Sequence, residues 1–150
     1  MGGIPPASGG GHDSVPALDL ELSATISGLV RALELLDQCA AERELDRAVV
    51  IRLRIVIEEL VTNTIKYGYG RECAQPVRLR LFLGEWTELI YEDAAPAFDP
   101  LAWHVCWKAE VPAQDGRVGR QGIPLILGLA SEVRYQALSQ GNRLILSLKP

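Results

Sequence analysis

The sequence predicts an α+β fold: a two-layer α/β sandwich in which a mostly antiparallel sheet packs against helices. Three observations carry this expectation. Short stretches alternate apolar and polar residues, the period of half-buried strands. Two longer stretches repeat apolar residues at helical spacing. The helices also fall together in the chain, beside strands that read as hairpins.

Taken in order, Leu18, Leu20 and Leu22 alternate with Asp19 and Glu21 and predict a first strand. Thr25 or Ser27 can cap the helix that follows, whose apolar positions include Leu29, Leu33 and Leu36. Asp46 opens a longer helix running to about Lys66, ended by Gly68-Tyr69-Gly70. Val77, Leu79, Leu81 and Leu83 alternate with Arg78, Arg80 and Phe82 in a second strand. Leu89 to Glu92 pairs with it as a hairpin around Gly84-Glu85. Prolines and glycines break up 94–122, which predicts a long, partly mobile loop with one helical turn through Trp103–Lys108. A short helix follows Gly122, with Pro124 in its first turn. Val133 to Ala137 and Leu144 to Leu148 close the chain as a hairpin turning at Gln140-Gly141-Asn142.

Composition bounds the function. The 150 residues suit one domain, and 48% hydrophobic with 23% charged residues suffices for one core. Nineteen acids against fifteen bases give a net charge of −4, which argues against a surface that coats nucleic acid. No apolar run reaches the length of a membrane span, and no secretory signal is visible. Cys39, Cys73 and Cys106 form neither a disulfide framework nor a metal-binding spacing, so a cytoplasmic location is expected. Five of the 14 glycines fall in the first 11 residues. Residues 1–16 therefore read as a flexible tail with an incidental His12, and 17–150 as the domain.

Three segments can carry chemistry. On the long helix, Leu53, Val56, Ile57, Leu60 and Thr64 share the face that packs on the sheet. Glu59 and Asn63, four residues apart, stack beside that face, while Glu58 points away. A carboxylate with an amide oxygen suits Mg2+, or a base beside a metal-held phosphate; the same spacing also occurs on plain solvated edges. Asp93-Ala94-Ala95-Pro96-Ala97-Phe98-Asp99-Pro100 places an acid at a strand end, either to accept from a base or as an ordinary acidic turn. Gly116 to Gly122 precedes an apolar helix, where backbone N–H groups can hold phosphate, although it lacks the GK[ST] ending of a P-loop. Trp103, His104 and Trp107 read as an aromatic cluster over the sheet edge or as a lid; His104 has no companion ligands for zinc.

Together and in this order, the three segments resemble those of the anti-sigma-factor serine/threonine kinases and their histidine-kinase-like ATPase relatives (Bergerat fold), the superfamily that includes gyrase and sensor histidine kinases. The resemblance runs from about Leu18 to Lys149. Ile57 to Gly68 looks like the family's N box, Asp93 to Pro100 like its D-x-G-x-x-F-D-P box, and Gly119 to Ile126 like its G-G-x-G-I-x-L-I box. Glu132-Val133-Arg134-Tyr135 and Gly141-Asn142-Arg143-Leu144 match its closing hairpin. The resemblance implies ATP or ADP with Mg2+ as cofactors. It implies Glu59 as general base, Asn63 as the Mg2+ ligand and Asp93 as the partner of the adenine amino group. Lys66, Ala95, Gly119, Arg120 and Gly122 complete the implied nucleotide set. Three residues depart from the pattern: Ala95 and Arg120 stand where it has glycine, and Tyr67 where many relatives have His.

The resemblance further implies a partner-switching regulator. Such a protein binds a sigma factor or another client and phosphorylates Ser or Thr on an anti-sigma factor antagonist domain, with no direct contact to nucleic acid or membrane. Self-association as a homodimer is common among such proteins and is left open by this sequence. Ala95 and Arg120 motivate the alternative, a degenerate kinase fold that sequesters a partner without phosphoryl transfer. A third reading, a module detached from a sensor kinase, finds no phosphoacceptor helix in the chain.

Overall fold

The computed structural model describes residues 15–110 and 122–150. Most of the expected tail, and Gly116 to Gln121 of the glycine-rich segment, lie outside the described residues. Strand β1 (Leu18–Ser23) leads to helices α1 (Ile26–Glu42) and α2 (Arg47–Asn63), then to β2 (Pro76–Phe82) and β3 (Thr87–Asp93). Helices α3 (Pro100–Glu110) and α4 (Gly122–Leu129) precede β4 (Glu132–Leu138) and β5 (Gly141–Leu148). The strands form one sheet in the order β1-β2-β3-β5-β4, with every neighbouring pair antiparallel. The expected sandwich is the observed fold.

Alternation sets which side chains face the helices. Val77, Leu79 and Leu81 of β2, Leu89 and Tyr91 of β3, and Leu144, Leu146 and Leu148 of β5 join one core. The expected α2 face meets them: Leu53, Val56, Ile57, Leu60 and Thr64 are all buried. On α1, Leu29 and Leu36 are buried and Leu33 packs at the margin. Thr25 is the cap of α1, its hydroxyl accepting from Gly28 N–H at 2.9 Å; such a cap contributes about 1 kcal/mol. The opposite face of the sheet carries paired charges, Arg78 with Asp19 and Glu92 with both Arg80 and Arg143.

Three elements differ from expectation. The long helix does not run unbroken to Lys66. It ends at Asn63 and continues as one π-helical turn, Thr64–Gly68, in which Tyr69 N–H donates to the Thr64 carbonyl five residues back at 2.8 Å. That wider turn adds a residue per repeat and re-aims the side chains beyond Asn63. Second, α3 spans eleven residues instead of a single turn within a loop. Asp99-Pro100 explains it: Asp99 Oδ1 accepts from Leu101 N–H at 2.9 Å and Ala102 N–H at 3.3 Å, and Pro100 suits a first helical position. Third, Gly141 and Asn142 are not turn residues. They open β5, paired with Leu138 and Ala137, so the chain reverses at Ser139-Gln140.

Leu53 is fully buried between α2 and the sheet. Leu53→Ala is expected to lower unfolding free energy by about 2–5 kcal/mol in urea denaturation followed by circular dichroism.

Candidate functional site

The end of α2, its π-helical turn, the C-terminal end of β3 and the start of β5 meet around one cavity of ≈ 170 Å³. Its walls include Leu60, Phe98, Ile123, Ile126, Leu127 and Val133, all apolar; Asn63, Thr64, Asp93 and Asn142 supply the polar groups. A mostly apolar concavity with a few convergent polar groups is the usual form of a small-molecule site.

Asp93, the last residue of β3, is held from three directions. Thr64 Oγ1 donates to its Oδ2 at 2.9 Å. Asn142 Nδ2 donates to its Oδ1 at 2.9 Å, and Ala95 N–H reaches the same oxygen at 3.2 Å. Thr64 also pairs with the Tyr91 hydroxyl, which lies 3.2 Å from the Leu60 carbonyl. Thr64 has a single proton and commits it to Asp93, so the one Tyr91 proton is shared between Thr64 Oγ1 and the Leu60 carbonyl. Burial pushes the Tyr91 hydroxyl well above the usual phenol range, with the negative charge of Asp93 adding to the effect. Tyr69 is raised by burial as well; its oxygen accepts from Ala94 N–H at 2.8 Å while its proton goes to the Pro76 carbonyl at 2.9 Å. All three segments that meet Asp93 are thus fixed by hydrogen bonds to neutral phenols or to the carboxylate itself.

The residues expected from sequence are distributed unevenly. Asn63, Asp93 and Ala95 line the cavity. Glu59 stands one turn before Asn63, half-buried and against the first residue of α4: a Cβ added at Gly122 would lie 1.9 Å from Glu59 Oε2. The Glu59 side chain therefore lies directly against Gly122, and a side chain at 122 would displace its carboxylate. Lys66 is exposed and does not line the cavity. Gly119 and Arg120 lie outside the described residues. Tyr67 lines the cavity and is 37% exposed.

Ala95, where the family pattern has glycine, fits without strain. It is 3% exposed, and among the described residues Glu44 alone has a left-handed backbone outside glycine. Its methyl takes the space that Gly68 leaves open, since a Cβ at Gly68 would lie 2.9 Å from Ala95 Cβ. The substitution is accommodated by the helix opposite. The Trp107 side chain of the expected aromatic cluster lies outside the described residues; the Trp103 ring instead pairs with Phe98 at 6.4 Å and 55°, and α3 packs against α4 and β4. Among the described residues no group of His, Cys, Asp and Glu is placed to hold a metal by itself.

Sequence reasoning missed Thr64, Tyr91 and Asn142 as site residues. Thr64 was legible as the polar member of an apolar face. Asn142 carried a fainter signal, a residue that strands disfavour placed directly after a glycine. Gly141 has φ +133°, and a Cβ there would lie 1.9 Å from the Asp93 carbonyl, so only glycine lets β5 begin so close to the end of β3.

With sandwich and cavity in view, comparison defines the class. Residues 22–148 match the family described as histidine kinase-like ATPase domain, and the chain belongs to that family. Among solved structures it is similar to the crystal structure of the RsbU and RsbW domains of Rv1364c from Mycobacterium tuberculosis, with a TM-score of 0.62 and 19% identity. The match covers 91% of this chain and 32% of that one, so this chain spans about a third of that protein's length, and the likeness is one of fold. No curated protein sequence matches the chain.

The Gly68–Ala95 contact gives a direct test of this packing. Gly68→Ala is expected to lower stability by about 1–3 kcal/mol through overpacking, and Gly68→Ala with Ala95→Gly to recover at least half of that loss, measured by thermal melts of the four members of the cycle.

Proposed function

We propose that this chain is an ATP-binding regulatory protein serine/threonine kinase, with 17–150 as its ATPase domain, acting in the cytoplasm in a partner-switching system. Its substrate is a Ser or Thr of an anti-sigma factor antagonist domain, and its second partner a sigma factor or another client protein. One observation carries the nucleotide reading: a carboxylate at the base of an apolar cavity with three of its roughly four acceptor sites already filled by protein donors. The remaining site, on Asp93 Oδ2, suits one N–H donor on a flat apolar ring, which is what adenine presents.

The residues present fit ATP with Mg2+. Asp93 accepts from the base, and Phe98, Ile123, Ile126 and Val133 supply apolar walls. Asn63, in the same cavity, offers the amide oxygen that a hard cation takes. When bound, Mg-ATP supplies a transferable phosphoryl group whose charge the metal offsets. Glu59, one turn before Asn63, is the group assigned to accept the proton of the substrate hydroxyl. Most of the rate comes from positioning, which the rigid α2–β3–β5 junction provides. Gly119, Arg120 and Gly122 are assigned to the phosphates on the resemblance of their segment.

The alternative, a partner-sequestering module without chemistry, keeps its motives: Ala95 packs against Gly68 but also lines the cavity, and Arg120 stands where the pattern has glycine. Incubation with labelled ATP and an antagonist domain separates the readings: phosphoserine or phosphothreonine on the antagonist supports the kinase, and its absence under saturating ATP supports the module.

Isothermal titration is expected to show Mg-ATP binding, and absence of heat or competition at millimolar nucleotide overturns the reading. Glu59→Ala is expected to abolish transfer while changing ATP affinity less than about threefold; a variant that transfers at the wild-type rate removes Glu59 as the base.

A further inference from the structure

Asn142, the second residue of β5, is 8% exposed and makes five hydrogen bonds through one side chain. Its Oδ1 accepts from Phe98 N–H at 2.8 Å and the Tyr135 hydroxyl at 2.6 Å. Its Nδ2 faces Asp93 Oδ1 at 2.9 Å and the carbonyls of Ala95 and Pro96 at 3.2 and 3.1 Å. The Phe98 amide can only donate and the two carbonyls can only accept, so the amide has one orientation. Two protons serve three acceptors, and one of them is shared. No hydroxyl or carboxylate of similar size offers this combination of two donated protons and a doubly used acceptor.

We propose that Asn142 is the positioning residue of base recognition: it keeps Asp93 a pure acceptor with one open site, and ties that state to the backbone of residues 95–98. The inference rests on the nucleotide reading above and adds the residue that sets selectivity for a 6-amino over a 6-keto purine. The three protein donors that reach the carboxylate, Thr64 on Oδ2 and Asn142 and Ala95 on Oδ1, all spend their protons on it and offer none to a ligand carbonyl. A 6-keto purine meets acceptor against acceptor.

The titratable groups around Asp93 do not supply a proton. Tyr91 of β3, Tyr69 after the π-helical turn and Tyr135 of β4 are all raised by burial and stay neutral phenols, and Asp99 lies beyond Tyr135. Helix α4 carries no titratable side chain.

The test is competition of Mg-ATP and Mg-ITP against a fluorescent nucleotide, with a thermal melt of each variant. Wild type is expected to prefer ATP. Asn142→Ala is expected to weaken ATP at least about tenfold and ITP less than about threefold, as an acceptor set left unpaired implies. Asn142→Asp preserves the shape and places a second carboxylate beside the first. Such a pair takes up one proton, and it is a proton on the open Oδ2 of Asp93 that supplies the missing donor. The ITP-to-ATP affinity ratio is then expected to rise about tenfold. Tyr135→Phe removes one donor to Asn142 Oδ1 without emptying the site, and is expected to weaken ATP about threefold while leaving ITP unchanged. This variant decides the matter if Asn142→Ala does not fold. Parallel weakening of both nucleotides, or no weakening, overturns the positioning role. A folded wild type that binds neither nucleotide overturns the nucleotide reading, and this inference with it.

Discussion

The Asp93 carboxylate is the constraint on which the site depends. It stands at the end of β3, where a strand would leave it in solvent, and is instead gripped by Thr64 from the helical layer and by Asn142 from the neighbouring strand. Hydrogen bonds to a charged acceptor contribute about 1.5–3 kcal/mol each. The two layers of the sandwich are therefore joined at this point by directional bonds as well as by apolar packing. The cavity is the gap left between those bonds and the walls of α4 and the loop after β3.

Several local features exist because of this junction. The π-helical turn brings Thr64 to Asp93 and lays Gly68 against Ala95, two contacts from opposite ends of five residues. Gly141 allows β5 to start against the Asp93 carbonyl, which delivers Asn142 to the carboxylate. Tyr91, fully buried, fixes Thr64 from below through its hydroxyl. On the other side of Asn63, Gly122 allows α4 to begin against Glu59. The two acids thus face different surroundings: Asp93 is set among hydrogen-bond donors and Glu59 lies against Gly122.

Much of the fold was legible in the sequence, and the reason is periodicity. Leu18-Leu20-Leu22 and Val77-Leu79-Leu81 alternate so cleanly that sheet faces followed, and the α2 stripe from Leu53 to Thr64 is buried as its spacing required. What was not legible came from contacts between distant residues. The π-helical turn is invisible to a 3.6-residue pattern, because it is set by where Thr64 must point. The closing hairpin was shifted by two residues because Gly141 reads as a turn glycine, whereas its positive φ serves a close approach to β3. Helix α3 was shortened because its prolines outweighed Asp99-Pro100, a helix start. Asn63 and Asp93, candidates from motif spacing, line the cavity, whereas Glu59 does not; Asn142 emerges only once the strands are paired, since forty-nine residues separate it from Asp93.

The central claim is that Asp93 works as an acceptor fixed by three donors. Asp93→Asn tests it most directly, because the swap keeps the shape and turns one acceptor oxygen into a donor facing Thr64 or Asn142. Titration of the folded variant with Mg-ATP is expected to show at least a hundredfold loss of affinity, about 2.7 kcal/mol, with a lower melting temperature. Wild-type affinity for Mg-ATP in Asp93→Asn would contradict the account.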